Sequence, residues 1–262
     1  MKICALTSGS IGNAVVIEDE SDAILIDCGV TYKKFTELMS EATLDTDKIK
    51  NILVTHEHSD HIKGLSVTSR RLHTQIWSSA GTKEALYNKG LLDEKCPAIR
   101  IVEKYKKITV AGFEITPFPL SHDAAEPVGY IVERADKKIV WLTDTGYVSK
   151  EVMTAVSGAD LYLIEMNHNI EMLQMTHRPW HLKQRILSDY GHLSNEDGAY
   201  ILSKIMTDRT KHVFLSHLSQ EANLPELALM TMQNILKQEN INLSKLQLHL
   251  TYPLRPSMVI EI

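Results

Sequence analysis

Three histidines and an aspartate fall within six residues, as His56-x-His58-x-Asp60-His61. Imidazole nitrogen and carboxylate oxygen together are what zinc and manganese accept. Residues two apart point about 200° apart on a helix but share a face at the end of a strand. The spacing therefore suits an extended segment that offers His56 and His58 to one metal. Asp60 and His61 follow directly and can turn towards a second. One motif cannot complete two shells, so further ligands are expected at strand ends, where rigid backbone aims a side chain. His122 follows Phe118-Pro119-Leu120, Asp144 follows Ile139–Thr143, and His217 follows Val213–Ser216. Asp144 is the natural bridge, because a carboxylate has two oxygens and can hold cations about 3.5–4 Å apart. Asp27 ends the apolar run Ala23–Ile26 and either orients a ligating histidine or is a solvated turn residue.

These residues need strands to carry them, and the sequence supplies the pattern. Extended segments are expected at Lys2–Leu6, Ala14–Glu18, Ala23–Asp27, Ile52–Val54, Glu114–Pro117, Val128–Val132, Ile139–Thr143, Leu161–Ile164 and Val213–Ser216. Helices are expected with Phe35, Leu38 and Met39 on one face, and over Ser149–Val156, Trp180–Ser188, Ser194–Met206 and Pro225–Lys237. The order reads as α/β, sheets covered by helices, without repeated βαβ units and without a visible internal repeat.

Composition narrows the setting. The 262 residues suit one large domain or two small ones, and 44% apolar with 23% charged is ordinary globular usage. The opening Ile3–Leu6 run is too short for a signal-peptide core, and no apolar run approaches a membrane span, so a cytoplasmic protein without membrane contact is expected. Cys4, Cys28 and Cys96 are few and far apart, which reads as buried small hydrophobes rather than a disulfide framework. A net charge of −5 argues against non-specific coating of nucleic acid. It leaves room for a nuclease, because two bound dications would place positive charge where a phosphate sits.

A second constellation lies between Asp144 and His217. Ser194-Asn195-Glu196-Asp197 is a capping signature, followed by Ala199, Ile201, Leu202, Ile205 and Met206 at helical spacing. His192 then stands just before a helix N-terminus, whose free N–H groups favour a phosphate. It can give a proton to a departing oxygen there, or it is a loop residue beside an ordinary cap. Glu165 ends Leu161–Ile164 and points at the site, where it would support a ligand. His168 reads as a loop histidine, with substrate contact as the alternative. Arg178, Lys183 and Arg185 can meet phosphates and Trp180 can stack on a base; equally, this segment is an amphipathic helix packing Leu182 and Ile186.

The first motif with His122, Asp144 and His217 in that order resembles the metallo-β-lactamase superfamily. The resemblance spans nearly the whole chain and implies a single domain, residues 1–262, with an αββα sandwich fold. It implies that His56, His58 and His122 hold one divalent ion, that Asp60, His61 and His217 hold a second, and that Asp144 bridges. Zinc or manganese fits, with iron as a further option. Five spaced stretches resemble the WalJ/YycJ-like bacterial exonucleases: Ser8–Asn13, Ser121–Ala124, Glu165–Asn169, Gly191–Asn195 and Leu215–Ser219. That implies 5′→3′ exonuclease activity on DNA, with Asp60 and His192 catalytic. It further implies substrate or phosphate contacts from Ser10, Asn13, Arg185, Ser194, Asn195 and Ser219. The sequence lacks the Gly/Pro-rich arm by which ribonuclease Z grips transfer RNA, and the interval from Asp144 to His217 is too short for a β-CASP domain. A lactonase- or thioesterase-type hydrolase on the same metal core is the alternative, and a non-catalytic nucleic-acid adaptor is a third reading.

Overall fold

The computed structural model describes residues 1–92 and 95–262. Within them, strands β1 (Lys2–Thr7), β2 (Ala14–Glu18), β3 (Ala23–Ile26), β4 (Ile49–Leu53), β5 (Gln75–Ser78) and β6 (Ile99–Ile101) form one sheet. A second sheet comprises β7 (Ile108–Val110), β8 (Phe113–Pro119), β9 (Val128–Arg134), β10 (Lys137–Leu142), β11 (Leu161–Glu165), β12 (His212–Ser216) and β13 (Gln247–Leu250). The short β14 (Ile260–Glu261) returns to pair with β1.

Side chains along each strand alternate between two cores, as the period of two requires. Ile24 and Ile26 face the other sheet while Leu25 faces helices; Trp141 faces the other sheet while Val140 and Leu142 face helices. The first sheet is covered by α1 (Tyr32–Glu41), followed along the chain by the one-turn α2 (Ser59–Ile62), and by α3 (Leu65–Leu72) and α4 (Ala80–Asn88). The second is covered by α5 (Lys150–Val156) and by two later helices. Between these come α6 (Ile170–Met175) and α7 (Trp180–Ile186), which share a small core of Leu173, Ile186 and Ala222. The later pair, α8 (Asn195–Ile205) and α9 (Pro225–Gln238), packs Leu202 and Met232 onto the sheet. The layers are αββα, as the resemblance implies.

The expectation of no βαβ units is corrected. Strands β3 to β6 run parallel with α1, α3 and α4 as crossovers, and β10 to β13 repeat the arrangement. In each sheet four antiparallel strands, β14–β1–β2–β3 or β7–β8–β9–β10, adjoin the parallel run. The parallel pattern was hidden because its units are short and mixed: β5 reads QIWS and α3 reads LSVTSRRL. Such segments carry little periodicity and are held by tertiary packing. Elsewhere the expected strands and helices differ mainly at their ends; β3, for example, stops at Ile26 and leaves Asp27 outside the ladder.

The sheets are stitched together beside the first histidine motif. Tyr130 of β9 is fully buried and its hydroxyl donates to Val54 O at 2.7 Å, while Val128 N donates to Thr55 O at 3.0 Å. Both acceptors lie in the stretch between β4 and His56, so β9 fixes where the motif begins. Tyr130→Phe should leave the Val54 carbonyl without this donor and cost about 1–3 kcal/mol, read as a lower urea midpoint at unchanged m-value; an unchanged midpoint would remove the stitch from this account.

Candidate metal centre

His56, His122, Asp144 and His217 stand just beyond strands, whereas Asp60 and His61 lie in the one-turn α2, and local backbone explains how. Asp27, Asp144 and His217 follow β3, β10 and β12 and all adopt the left-handed region, at φ 58°, 59° and 58°. Such a residue turns the chain out of the strand, and aspartate tolerates it better than most. The short α2 is clamped onto the turn after β3: Cys28 N donates to His61 O at 2.8 Å and Asn13 N to Asp60 O at 2.7 Å. A Cβ on Gly29 would lie 1.7 Å from Asp60 O, so only glycine permits this approach.

Hydrogen bonds set the imidazole tautomers. Asp27 is fully buried; it accepts from Thr55 N and Thr55 Oγ1, both at 2.8 Å, and from His61 Nδ1 at 2.7 Å. With its proton given to Asp27, Thr55 Oγ1 is left to accept from His56 Nδ1 at 3.0 Å. His122 Nδ1 lies 3.2 Å from Gly191 O, and His217 Nδ1 lies 2.9 Å from Glu165 Oε1. In all four rings Nδ1 is tied back, which leaves Nε2 as the ligating atom. His58 is turned the other way, with Nδ1 3.2 Å from His122 Nε2.

The free atoms converge in two neighbouring sets. His56, His58 and His122 can hold one metal, and Asp60, His61 and His217 another; within each set one ligand atom per residue lies within 4.8 Å of the others. Asp144 reaches both: it groups with His56 and His61, its Oδ2 is 3.4 Å from His61 Nε2, and its Oδ1 is 3.4 Å from His217 Nε2. His56 Nε2, His217 Nε2 and Asp144 Oδ2 are buried without a hydrogen-bond partner. Orphaned buried polar atoms are costly, and three aimed at one place fit divalent metal ions.

The charges couple accordingly. Burial would raise the Asp144 carboxyl, but His217, His61 and His56 hold it well below the usual range. Burial would likewise raise Glu165, which His192 and His217 bring down to about 2. Burial pushes His56 well below its ordinary value. His217 goes the other way: burial opposes its charge, yet Asp144, Asp60 and Glu165 push it up to about 10.

Other expected site residues divide. Ser10, Arg178, Leu182, Arg185, His192 and Ser219 line the cleft over the metal ligands. His192 Nδ1 bonds Glu165 Oε1 at 2.7 Å, and Glu165 thereby holds both His192 and His217. Three expected substrate contacts are buried and engaged with other groups of the chain. Asn13 is buried, with Nδ2 3.0 Å from His61 Nε2 and 3.3 Å from Asp60 Oδ2, so it braces the ligand atoms of the second set. Ser194 Oγ caps α8 through Asp197 N, and Asn195 is fully buried in a two-way amide pair with Asn223. Asn195 N already donates to His168 O, so the α8 terminus is no open phosphate site. Lys183 is also buried, its Nζ joining Gln174 O and Thr176 O. Trp180 is exposed but does not line the cleft, and His168 is buried in the loop before α6, where burial pushes it down to about 4. Two residues of the family-like stretches were given no role by sequence reasoning. Asn167 lines the cleft and donates to His217 O at 2.9 Å, and Asp123 Oδ1 lies 3.6 Å from His122 Nε2. The signals for Asp123 were its place next to His122 and within Ser121–Ala124.

Comparison with known proteins agrees with this arrangement. A family model described as a β-lactamase superfamily domain matches residues 22–217. A Streptococcus pneumoniae protein named exodeoxyribonuclease WalJ is 43% identical over 241 residues, covering 92% of this chain and 90% of its own. Bacillus anthracis exodeoxyribonuclease YycJ is 38% identical over 256 residues, covering 97% and 96%. The metallo-β-lactamase fold protein YhfI from Bacillus subtilis is similar in fold, with TM-score 0.75 at 14% identity, covering 100% and 99%.

Two outcomes are expected. Asp144→Ala should lower bound zinc or manganese below wild type by elemental analysis; a variant that keeps both ions would rule out the bridge. Because His217 is pushed up to about 10, the metal-free protein carries its proton at pH 7 and metal must displace it. Metal affinity should therefore rise with pH through 8, with proton release visible by calorimetry in buffers of different ionisation enthalpy. Uptake at constant affinity and without protons would contradict the assignment.

Proposed function

Because the chain belongs to the metallo-β-lactamase superfamily and is a metal-dependent hydrolase, we propose that it cleaves DNA phosphodiesters as a 5′→3′ exonuclease. The observation that carries this reading is His192. It lines the cleft beside both ligand sets, lies outside both trios while grouping with Asp144, Glu165 and His217, and has its Nδ1 held by Glu165. The two relatives named as exodeoxyribonucleases, each aligned over nine-tenths or more of both chains, support the choice of DNA.

Bound cations would supply a nucleophilic water near neutral pH and neutralise charge on the phosphate. The chain's own groups do the rest. Asp60, braced by Asn13, faces the cleft and orients the attacking water. Glu165 takes the His192 Nδ1 hydrogen bond, which leaves Nε2 as the ring atom for the cleft. As the water oxygen bonds to phosphorus and the bond to the sugar oxygen breaks, His192 Nε2 passes a proton to that oxygen. Arg185, which lines the same cleft, meets a non-bridging phosphate oxygen.

The test is digestion of end-labelled single- and double-stranded DNA by metal-reconstituted protein. Progressive release from the 5′ end is expected, and His192→Ala should lower turnover by about 10²–10⁴ with metal content kept. Equal loss of metal and turnover would contradict the acid role. No cleavage of DNA with zinc, manganese or iron, together with hydrolysis of neutral esters, would favour the lactonase or thioesterase reading.

A further inference from the structure

The cleft over the metal ligands is small, about 180 Å³, and adjoins an open groove of about 490 Å³ lined by Thr176, His177, Arg178 and Glu221. Arg178 belongs to both. Besides histidines, Arg178 and Arg185 are the cationic side chains that line the cleft. They share one construction. Arg185 Nε is bonded to Asp123, and Arg178 Nε to Glu221 at 2.8 Å. In neither case does another group of the described chain take the terminal amines. A guanidinium has five donors in a planar fork, and a carboxylate on Nε fixes that plane while leaving the terminal amines for a second anion.

The platform beneath is rigid. Arg178 precedes Pro179, which restricts its backbone to extended conformations, and Pro179 caps α7. Buried Lys183 closes the turn by donating to Gln174 O and Thr176 O. Leu173 and Ile186 pack on Ala222, the residue after Glu221, so the arginine and its carboxylate ride on one small core.

We infer that Arg178 and Arg185 clamp successive phosphates of a single nucleic-acid strand, which leaves the metal centre past Arg178 along the Thr176–Glu221 groove. The inference rests on the phosphodiesterase reading. A cleft of this size takes little more than one nucleotide, so the rest of a polymer needs an exit, and the groove that shares Arg178 provides it. Planar forks at two points along the path read the backbone and not the bases. Arg185, beside His58 and His122 through Asp123, serves the phosphate nearest the metals. Arg178 serves one further along, so its contribution depends on strand length.

The test measures binding of fluorescent, 5′-phosphorylated ligands by anisotropy, using metal-loaded protein in the slow His192→Ala background. A 5′-phosphorylated mononucleotide, whose single phosphate reaches only the Arg185 position, is compared with a strand of about twelve nucleotides, within the site sizes usual for single-strand grooves. Arg178→Ala should weaken the strand roughly tenfold and the mononucleotide much less, and should reduce the slope of log strand affinity against log salt by about one. Arg178→Lys should restore the salt slope but only part of the affinity, because it returns the charge without the fork. Arg185→Ala should weaken both ligands. Melting temperature and metal content verify that each variant is folded. Equal weakening of both ligands by Arg178→Ala, or none, would overturn the clamp while leaving the nuclease reading intact. Parent protein that binds neither ligand, with a wild type that cleaves no DNA, would sink both.

Discussion

Most of the centre depends on one buried carboxylate. Asp27 accepts three hydrogen bonds within 2.8 Å, two from Thr55 and one from His61. Through Thr55 it reaches His56, and through His61 it reaches the second ligand set. A carboxylate taken wholly out of water is expensive unless its lone pairs are satisfied, so the Asp27 network tolerates little rearrangement. That intolerance is useful. It fixes two imidazoles from opposite metal sets relative to one strand end.

The second sheet contributes a counterpart. Asp144 stands after β10 as Asp27 does after β3, both in the left-handed region and both followed within two residues by glycine. Their neighbours then diverge. Asp27 is enclosed by hydrogen-bond donors and acts through histidines, whereas Asp144 keeps an unpartnered oxygen among ligand atoms. One topology, used twice, thus yields a carboxylate that orients histidines on one side and one that lies between the two ligand sets on the other. Glu165 completes the second side by holding His217 and His192 on a single oxygen. This ties the His217 ligand set to His192.

Around this rigid centre the substrate-facing parts are lighter. Helices α6 and α7 rest on a core of a few side chains rather than on either sheet, and their cations are held by exposed carboxylates. Exposed ion pairs contribute little to stability, so these contacts orient guanidinium groups more than they hold the fold. The metal-ligand candidates are carried by the two sheets, while Arg178 and Arg185 sit on this small separate core.

The sequence by itself determined the histidine motif, the later strand-end ligand candidates and the capped α8. Each is a local pattern, because residue type and spacing along a strand or helix follow from backbone periodicity. The continuous apolar run Ala23–Ile26 similarly announced a strand. The short parallel units β5–α4–β6 were not legible, since four mixed residues carry no usable period and their ladder forms only once β4 is in place. Nor could the sequence separate the roles of Ser10 and Asn13, or of Arg185 and Lys183. Within each pair the residues differ in which way they face, and that is decided by contacts between segments far apart in the chain: Asn13 with His61, Lys183 with Gln174, Arg185 with Asp123. Local physics named the groups capable of chemistry, and tertiary packing decided which of them meet in the cleft.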